Sequence, residues 1–165
     1  LCPLTEASLG DGIFDGLRWL GAGGALALGS DSNIRISLAE ELRQLDTSQR
    51  LRDHSRAALA TADQSTGRRL WQAAVAGGAT AAGRGRGGIA PGEWADLVAL
   101  DLTHPDLEGL RADTILDAFA FAGDSRMVAE VWSAGRHVVQ SGRHIAREAI
   151  TESYRRAVRP LRDGL

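Results

Sequence analysis

The sequence contains no lysine, and all 19 of its basic residues are arginines. A lysine that forms a Schiff base, or a carbamylated lysine that bridges metal ions, therefore cannot come from these residues. The single cysteine, Cys2, has no internal disulfide partner, so a reducing, cytoplasmic location is expected. No apolar run approaches the roughly 18 residues that span a bilayer. The net charge of -2 argues against a nucleic-acid or anionic-membrane partner.

The remaining composition is that of an ordinary globular protein, with 44% hydrophobic and 24% charged residues. The chain opens at Leu1-Cys2-Pro3 without a methionine, and we expect it to be part of a longer protein.

In the first part of the chain, the spacing of apolar residues predicts that strand and helix alternate. Residues 1–12 are turn-rich and predict a loop. Residues 25–28 form a short apolar run between glycines, which is typical of a buried parallel strand. Leucines spaced by four and three predict a helix that Ser37 caps with Glu40, and that runs to about residue 60. A second helix is predicted from residue 65 or 66 to residue 83, where Gly77 indicates a close backbone approach.

A glycine- and arginine-rich stretch at residues 83–88 marks a boundary, after which the pattern becomes β-rich. Strands are predicted at residues 95–100, 127–132 and 137–139. The last two are joined by a hairpin turn at Gly135, which can take a positive φ. A short helix is predicted at residues 114–121, and a terminal amphipathic helix at residues 149–162.

Asp31 is the first candidate for chemistry because it follows the predicted strand directly, in Gly29-Ser30-Asp31-Ser32. In a β/α barrel the active site lies at the carboxyl ends of the strands, where a carboxylate can bind a metal and accept a proton from water. The alternative is a helix cap or an Asx turn, which the same residue types favour.

Thr5, Glu6 and the four histidines are the other residues considered for substrate or metal binding. Thr5 and Glu6 lie in the loop before the predicted strand and are candidate substrate-binding residues, a solvated loop being the alternative. The four histidines are not spaced as metal ligands, and surface or structural roles are expected for them: His54, His104, His137 and His144. The chain therefore does not show the three ligands that a catalytic zinc needs.

Three segments resemble the amidohydrolase superfamily. Residues 29–32 (GSDS) look like the segment after the eighth barrel strand, where that superfamily places a metal-site aspartate. Residues 88–98 (GIAPGEWADLV) are similar to its "G-x-I-x-P-G-x-x-A-D-L-V" segment, which leads into a small β-sandwich. Residues 131–139 (VWSAGRHVV) look like the last hairpin of that sandwich.

The resemblance is narrower to the formimidoylglutamate deiminases. Residues 2–12 (CPLTEASLGDG) are similar to their "C-P-x-T-E-A-N-L-G-D-G" loop, although Ser8 stands where the family usually has Asn. Residues 30–35 (SDSNIR), 38–43 (LAEELR) and 49–52 (QRLR) match as well. A changed side chain at position 8 would alter specificity if it contacts the substrate.

The resemblance implies an α/β fold: the C-terminal part of a TIM-type (β/α)8 barrel plus strands of a composite β-sandwich. It implies barrel elements at residues 1–83, sandwich at 84–148 and a terminal helix at 149–165. It also implies hydrolysis of N-formimidoyl-L-glutamate to N-formyl-L-glutamate and ammonia in histidine degradation. One zinc ion would be bound by Asp31, also the general base, and by ligands upstream of Leu1.

Further expectations follow from the resemblance. The isolated chain would be inactive and poorly soluble or oligomeric, and the complete enzyme would be a homodimer acting on a small molecule. Two alternatives remain open: another deaminase of the superfamily, of the purine or triazine aminohydrolase type, and a non-catalytic structural or assembly module.

Overall fold

A computed structural model describes residues 1–32 and 35–164. Asn33 and Ile34, which belong to one of the segments that resemble the deiminases, lie outside the described residues. Contacts divide the chain into two compact units, one of Leu1–Trp94 with Asp101–Met127 and one of Ala95–Leu100 with Val128–Leu165. The domain boundaries predicted from the sequence stay a prediction.

The first unit is mainly helical. Its elements are α1 (Pro3–Leu9), α2 (Gly16–Gly21), α3 (Leu38–Asp53), α4 (Thr66–Ala81), α5 (Asp113–Phe121) and a 3-10 turn at Ser125–Met127. The three predicted helices in this part of the chain are confirmed as α3, α4 and α5. Helix α3 ends earlier than predicted, because His54 adopts the left-handed conformation and its amide bonds back to the carbonyl of Arg50.

Helices α3 and α4 begin at serine caps. The Ser37 hydroxyl accepts a hydrogen bond from the Glu40 amide at 3.4 Å, and the Ser65 hydroxyl accepts one from the Arg68 amide at 3.2 Å. The prediction that Glu40 completes a capping box at Ser37 is wrong. Its carboxylate forms an ion pair with Arg35 instead.

The core of this unit is built from leucines of α3 and α4 together with neighbouring residues. Its buried members are Leu26, Leu42, Leu45, Leu59, Leu70 and Ala120. Helix α3 adds a row of buried polar side chains to the same face: Glu41, Asp46 and Gln49. Each of them follows or precedes a core leucine by three or four residues, which places it on the inner side of the helix.

The ion pair predicted between Asp46 and Arg50 is present, with 2.5 Å between carboxylate oxygen and guanidinium Nε. Its predicted location on an exposed face is wrong, because the Asp46 side chain is fully buried. The second carboxylate oxygen accepts the Leu59 amide at 3.1 Å. Both oxygens are thereby satisfied, as a buried charge requires.

Residues 3–9 form helix α1, where a loop was predicted. Pro3 occupies the first turn, where its missing N–H costs nothing. The Glu6 carboxylate accepts the Cys2 amide at 2.7 Å, and Gly10 ends the helix with a φ of 77°. Seven residues are too few to show a helical period in the sequence. The six-residue α2, capped by Asp15, was not predicted either.

The predicted strand at residues 25–28 is not assigned as a strand within the described chain. It is nevertheless hydrogen-bonded in the manner of a parallel pair. The Leu1 amino group donates to the Ala27 carbonyl at 2.8 Å, and the Gly29 amide donates to the Leu1 carbonyl at 3.0 Å. In a parallel ladder one residue bonds to the residues on either side of its partner, so Leu1 is paired with Leu28.

Helix α4 lies against this extended segment. A Cβ added at Gly77 would lie 1.9 Å from the Leu26 carbonyl oxygen, so the backbones approach too closely for any side chain. The close approach predicted at Gly77 is therefore confirmed. In the first turn of α4, a Cβ at Gly67 would meet the backbone of Asp117 in α5 at 2.6 Å.

The second unit contains an antiparallel sheet of β1 (Leu97–Leu100), β2 (Val128–Ser133), β3 (Arg136–Gln140) and β4 (Arg143–His144), in that spatial order. The three predicted strands correspond to β1, β2 and β3. Ala134 and Gly135 join β2 to β3, both with positive φ, as a two-residue hairpin turn needs.

The terminal helix α6 (Arg147–Arg162) is confirmed as well. Its apolar side chains Ile150, Tyr154 and Leu161 are exposed. None of the helices seen in the described part of the chain is long and apolar enough to cross a membrane.

Candidate functional site

Asp31 lies in a turn that directly follows the extended segment at residues 25–29. Its side chain is exposed, and its backbone adopts the left-handed conformation with a φ of 44°. Within residues 1–32 and 35–164, no hydrogen bond or ion pair engages the carboxylate. The prediction that it catalyses and binds a metal stays a prediction.

Thr5 lies on α1 and faces this turn. Its side chain is 4% exposed. The hydroxyl donates to the Ser30 carbonyl at 3.0 Å and lies 3.0 Å from the Ser32 hydroxyl. These two partners flank Asp31 in the sequence, so the structure brings Thr5 to the turn that carries the candidate aspartate.

Glu6 is the next residue of α1, and its carboxylate accepts the Cys2 amide at the start of the helix. It also lines a cavity of about 240 Å³. The other lining residues come from α1, the segment after it and α3: Pro3, Ala7, Gly10, Gly12, Ile13, Phe14, Gln44, Leu45 and Ser48. Contact of Thr5 or Glu6 with a substrate stays a prediction.

Glu41 on α3 lies close to the start of α1 and to the segment that precedes Asp31. It is 3% exposed, and its Oε2 accepts the Leu4 amide at 2.9 Å, which ties α1 to α3. Its Oε1 is buried without a hydrogen-bond partner among the described residues. Burial, as the largest cause, raises the pKa of the Glu41 carboxyl above its ordinary value of 4.5. Glu41 also lines a cavity of about 170 Å³ together with Leu28, Gly29 and Ser30.

The raised pKa of Glu41 makes stability depend on pH. Because the folded state binds this proton more tightly than the unfolded state, the stabilisation is complete below pH 4.5 and is lost as pH rises through the folded-state pKa. We expect Glu41→Gln, whose amide oxygen can still accept the Leu4 amide, to flatten the pH dependence of unfolding above pH 4.5. Urea unfolding at several pH values checks this.

Glu40→Gln is the matched control for this experiment, since Glu40 is the preceding residue of the same helix and is only partly buried. Because Glu41 is unchanged in this variant, Glu40→Gln is expected to keep the decrease in stability that Glu41 produces as pH rises above 4.5. Parallel profiles for wild type and Glu41→Gln would contradict the prediction.

The histidines lie in other surroundings. His54 ends α3, and the Nδ1 of His104 accepts the Asp106 amide at 3.3 Å. In the second unit, His137 stacks on Trp132 and bonds to Glu130, while the Nδ1 of His144 accepts the Ala146 amide.

A zinc ion at this site would find an incomplete donor set. Over residues 1–32 and 35–164 there is no group of three or more His, Cys, Asp or Glu side chains able to hold a metal ion. A catalytic zinc usually takes three protein ligands. The exposed Asp31 carboxylate fits the role of one ligand, and the described residues do not make a complete site.

Sequence reasoning missed Glu41, although the signal was present. Glu41 follows Leu38 by three residues and precedes Leu45 by four, so a charge interrupts the apolar stripe of the helix. Charges at such positions are rare unless a partner or a function retains them.

A family model described as "Amidohydrolase family" matches residues 1–138. Among individual proteins, the chain is 45% identical over 164 residues to formimidoylglutamate deiminase of Pseudomonas aeruginosa. That match covers 99% of this chain and 36% of the relative, so the chain spans about a third of the relative's length.

Solved structures that superpose on this chain include an amidohydrolase and an adenosine deaminase. The crystal structure of an amidohydrolase from Brucella melitensis superposes with a TM-score of 0.88 at 42% identity, over 95% of this chain and 34% of that one. An adenosine deaminase from Xanthomonas campestris with bound zinc superposes with a TM-score of 0.77 at 25% identity, over 96% of this chain and 37% of that one.

Proposed function

Because the chain belongs to the amidohydrolase family, we propose that it is the C-terminal part of a formimidoylglutamate deiminase. The enzyme would hydrolyse N-formimidoyl-L-glutamate to N-formyl-L-glutamate and ammonia, a step of histidine degradation. The observation that carries the proposal is the 45% identity to the deiminase of P. aeruginosa over almost the whole chain.

The proposal also assigns each part of the chain to a part of the enzyme's fold. Residues 1–83 would supply the last strands and helices of a (β/α)8 barrel, and residues 84–148 would supply strands of a β-sandwich. The parallel pairing of Leu1 with Leu28 supports the first assignment, because barrel strands are parallel. The antiparallel order of β1 to β4 supports the second.

Asp31 would carry the proton transfers. Water adds to the formimidoyl carbon, and the carbon–nitrogen double bond becomes single. The Asp31 carboxylate accepts the proton of the water and passes it to the departing nitrogen. The hydroxyl of this intermediate then gives up its own proton, which the same carboxylate passes to the nitrogen. The carbonyl of the formyl product forms as the carbon–nitrogen bond breaks, and ammonia leaves with the electron pair. A positioned carboxylate suits both transfers.

Zinc belongs to this proposal as one ion held in part by Asp31. The zinc bound in the X. campestris adenosine deaminase supports a metal in this family. When bound, zinc would supply a Lewis acid that makes water a stronger nucleophile at neutral pH. The remaining ligands would come from outside this chain, and the isolated chain would therefore be inactive.

The competing proposal is a purine deaminase, which the likeness to the same adenosine deaminase supports at lower identity. Ammonia release by the full-length protein separates the two when formimidoylglutamate, adenosine and guanine are offered at equal concentrations. We expect turnover of formimidoylglutamate alone. Turnover of adenosine or guanine without turnover of formimidoylglutamate would overturn the deiminase proposal.

A further inference from the structure

The Thr5 hydroxyl makes two hydrogen bonds, and both are with the turn that carries Asp31. A hydroxyl has one hydrogen to donate, and here it goes to the Ser30 carbonyl. The contact with Ser32 at 3.0 Å must then have the Ser32 hydroxyl as donor. Thr5 therefore binds the residue before Asp31 and the residue after it, and at 4% exposure it has little surface left for a substrate.

The turn that Thr5 contacts has a left-handed backbone conformation at Asp31. A φ of 44° at Asp31 is in the left-handed region, which aspartate tolerates better than most residues with a Cβ but still adopts in a minority of cases, so that local contacts help to select it. The two hydrogen bonds of Thr5, one on each side of Asp31, are contacts of this kind.

Thr5 is itself fixed in place. The amide of the preceding residue, Leu4, donates to the buried Glu41 carboxylate on α3. The start of α1 is closed by the bond from the Cys2 amide to Glu6. A continuous set of bonds thus leads from α3 through α1 to the turn of Asp31.

We propose that Thr5 is a positioning residue, whose hydroxyl holds the Ser30–Ser32 turn so that the Asp31 carboxylate is aimed at the reacting atoms. The proposal rests on the proposed function, because it requires Asp31 to act in catalysis. It gives Thr5 a role through Asp31 in place of direct contact with the substrate.

The test uses the full-length enzyme with Thr5→Val, which keeps the shape and removes the hydroxyl, and Thr5→Ser, which keeps the hydroxyl. We expect Thr5→Val to lower kcat by about 10- to 100-fold with little change in KM, since misplacement of a reacting group costs that much. Thr5→Ser is expected to recover most of the activity. Thermal unfolding of both variants checks that they are folded.

A double-mutant cycle separates positioning from general structural damage. In an Asp31→Asn background, Thr5→Val should cause no further loss of kcat, because the group it positions is gone. An equal fold loss in both backgrounds, or full activity of Thr5→Val alone, would overturn the positioning role while leaving the proposed function intact. Full activity of Asp31→Asn would overturn both the positioning role of Thr5 and the catalytic role of Asp31.

Discussion

Replacing Asp31 with Asn is expected to lower kcat/KM of the full-length enzyme for formimidoylglutamate by about 10²- to 10⁴-fold, the range that loss of a general acid–base group produces. Asparagine has nearly the same shape, can occupy the left-handed conformation at this position and caps turns as well as aspartate does. The substitution therefore removes the proton acceptor while the turn remains.

Steady-state ammonia release and the zinc content of the purified variant are the measurements. A loss of zinc along with activity would assign Asp31 to metal binding, and a loss of activity alone would assign it to proton transfer. Asp63→Asn, which changes an exposed aspartate of the same unit, is the matched control and is expected to leave turnover unchanged. Unchanged turnover and zinc content in Asp31→Asn would reduce Asp31 to a turn residue.

Replacing Gly77 with Ala is expected to lower the free energy of unfolding more than any other substitution proposed for this protein. The new methyl group would lie 1.9 Å from the Leu26 carbonyl oxygen, and no flexible side chain stands between them to move aside. Either α4 or the segment at residues 25–28 must shift, and overpacking of this kind costs about 1–3 kcal/mol or more. Urea unfolding of the full-length protein measures the loss.

The neighbouring glycine provides the control. A Cβ at Gly78 would meet nothing within 4 Å in the described chain, and alanine favours helix over glycine by about 1 kcal/mol. Gly78→Ala is therefore expected to leave stability unchanged or raise it. If the two variants unfold at the same urea concentration, the close contact at Gly77 does not limit stability.

Long periodic segments were predictable because they repeat one signal many times. The leucines of α3 and the serine caps of α3 and α4 marked helices that the structure contains, and the turn at Gly135 marked the hairpin between β2 and β3. The short helices α1 and α2 were not predictable by period, since each has fewer than two full turns of sequence. They depend on single contacts, such as that of Glu6 with the Cys2 amide.

Some residues of the candidate site could be predicted from the sequence, and others could not. Asp31 could be singled out because it follows an apolar run, and Thr5 because of its place before that run. Glu41 could not be linked to them from sequence, because its contact with the Leu4 amide joins residues 37 positions apart. Four expectations stay predictions because they depend on residues, ions or partners other than this chain: the zinc ion, the complete barrel, the cellular compartment and the dimeric state.

Asp46 gives the stretch between α3 and α4 an unusual constraint. The same buried carboxylate holds the guanidinium of Arg50 and the amide of Leu59, so one side chain serves both the helix and the irregular segment that follows it. Releasing that segment would remove one hydrogen bond from the buried carboxylate, while its ion pair with Arg50 would remain. Opening of the connection between the helices therefore carries a free-energy cost that is set by a side chain of α3, outside the connection itself.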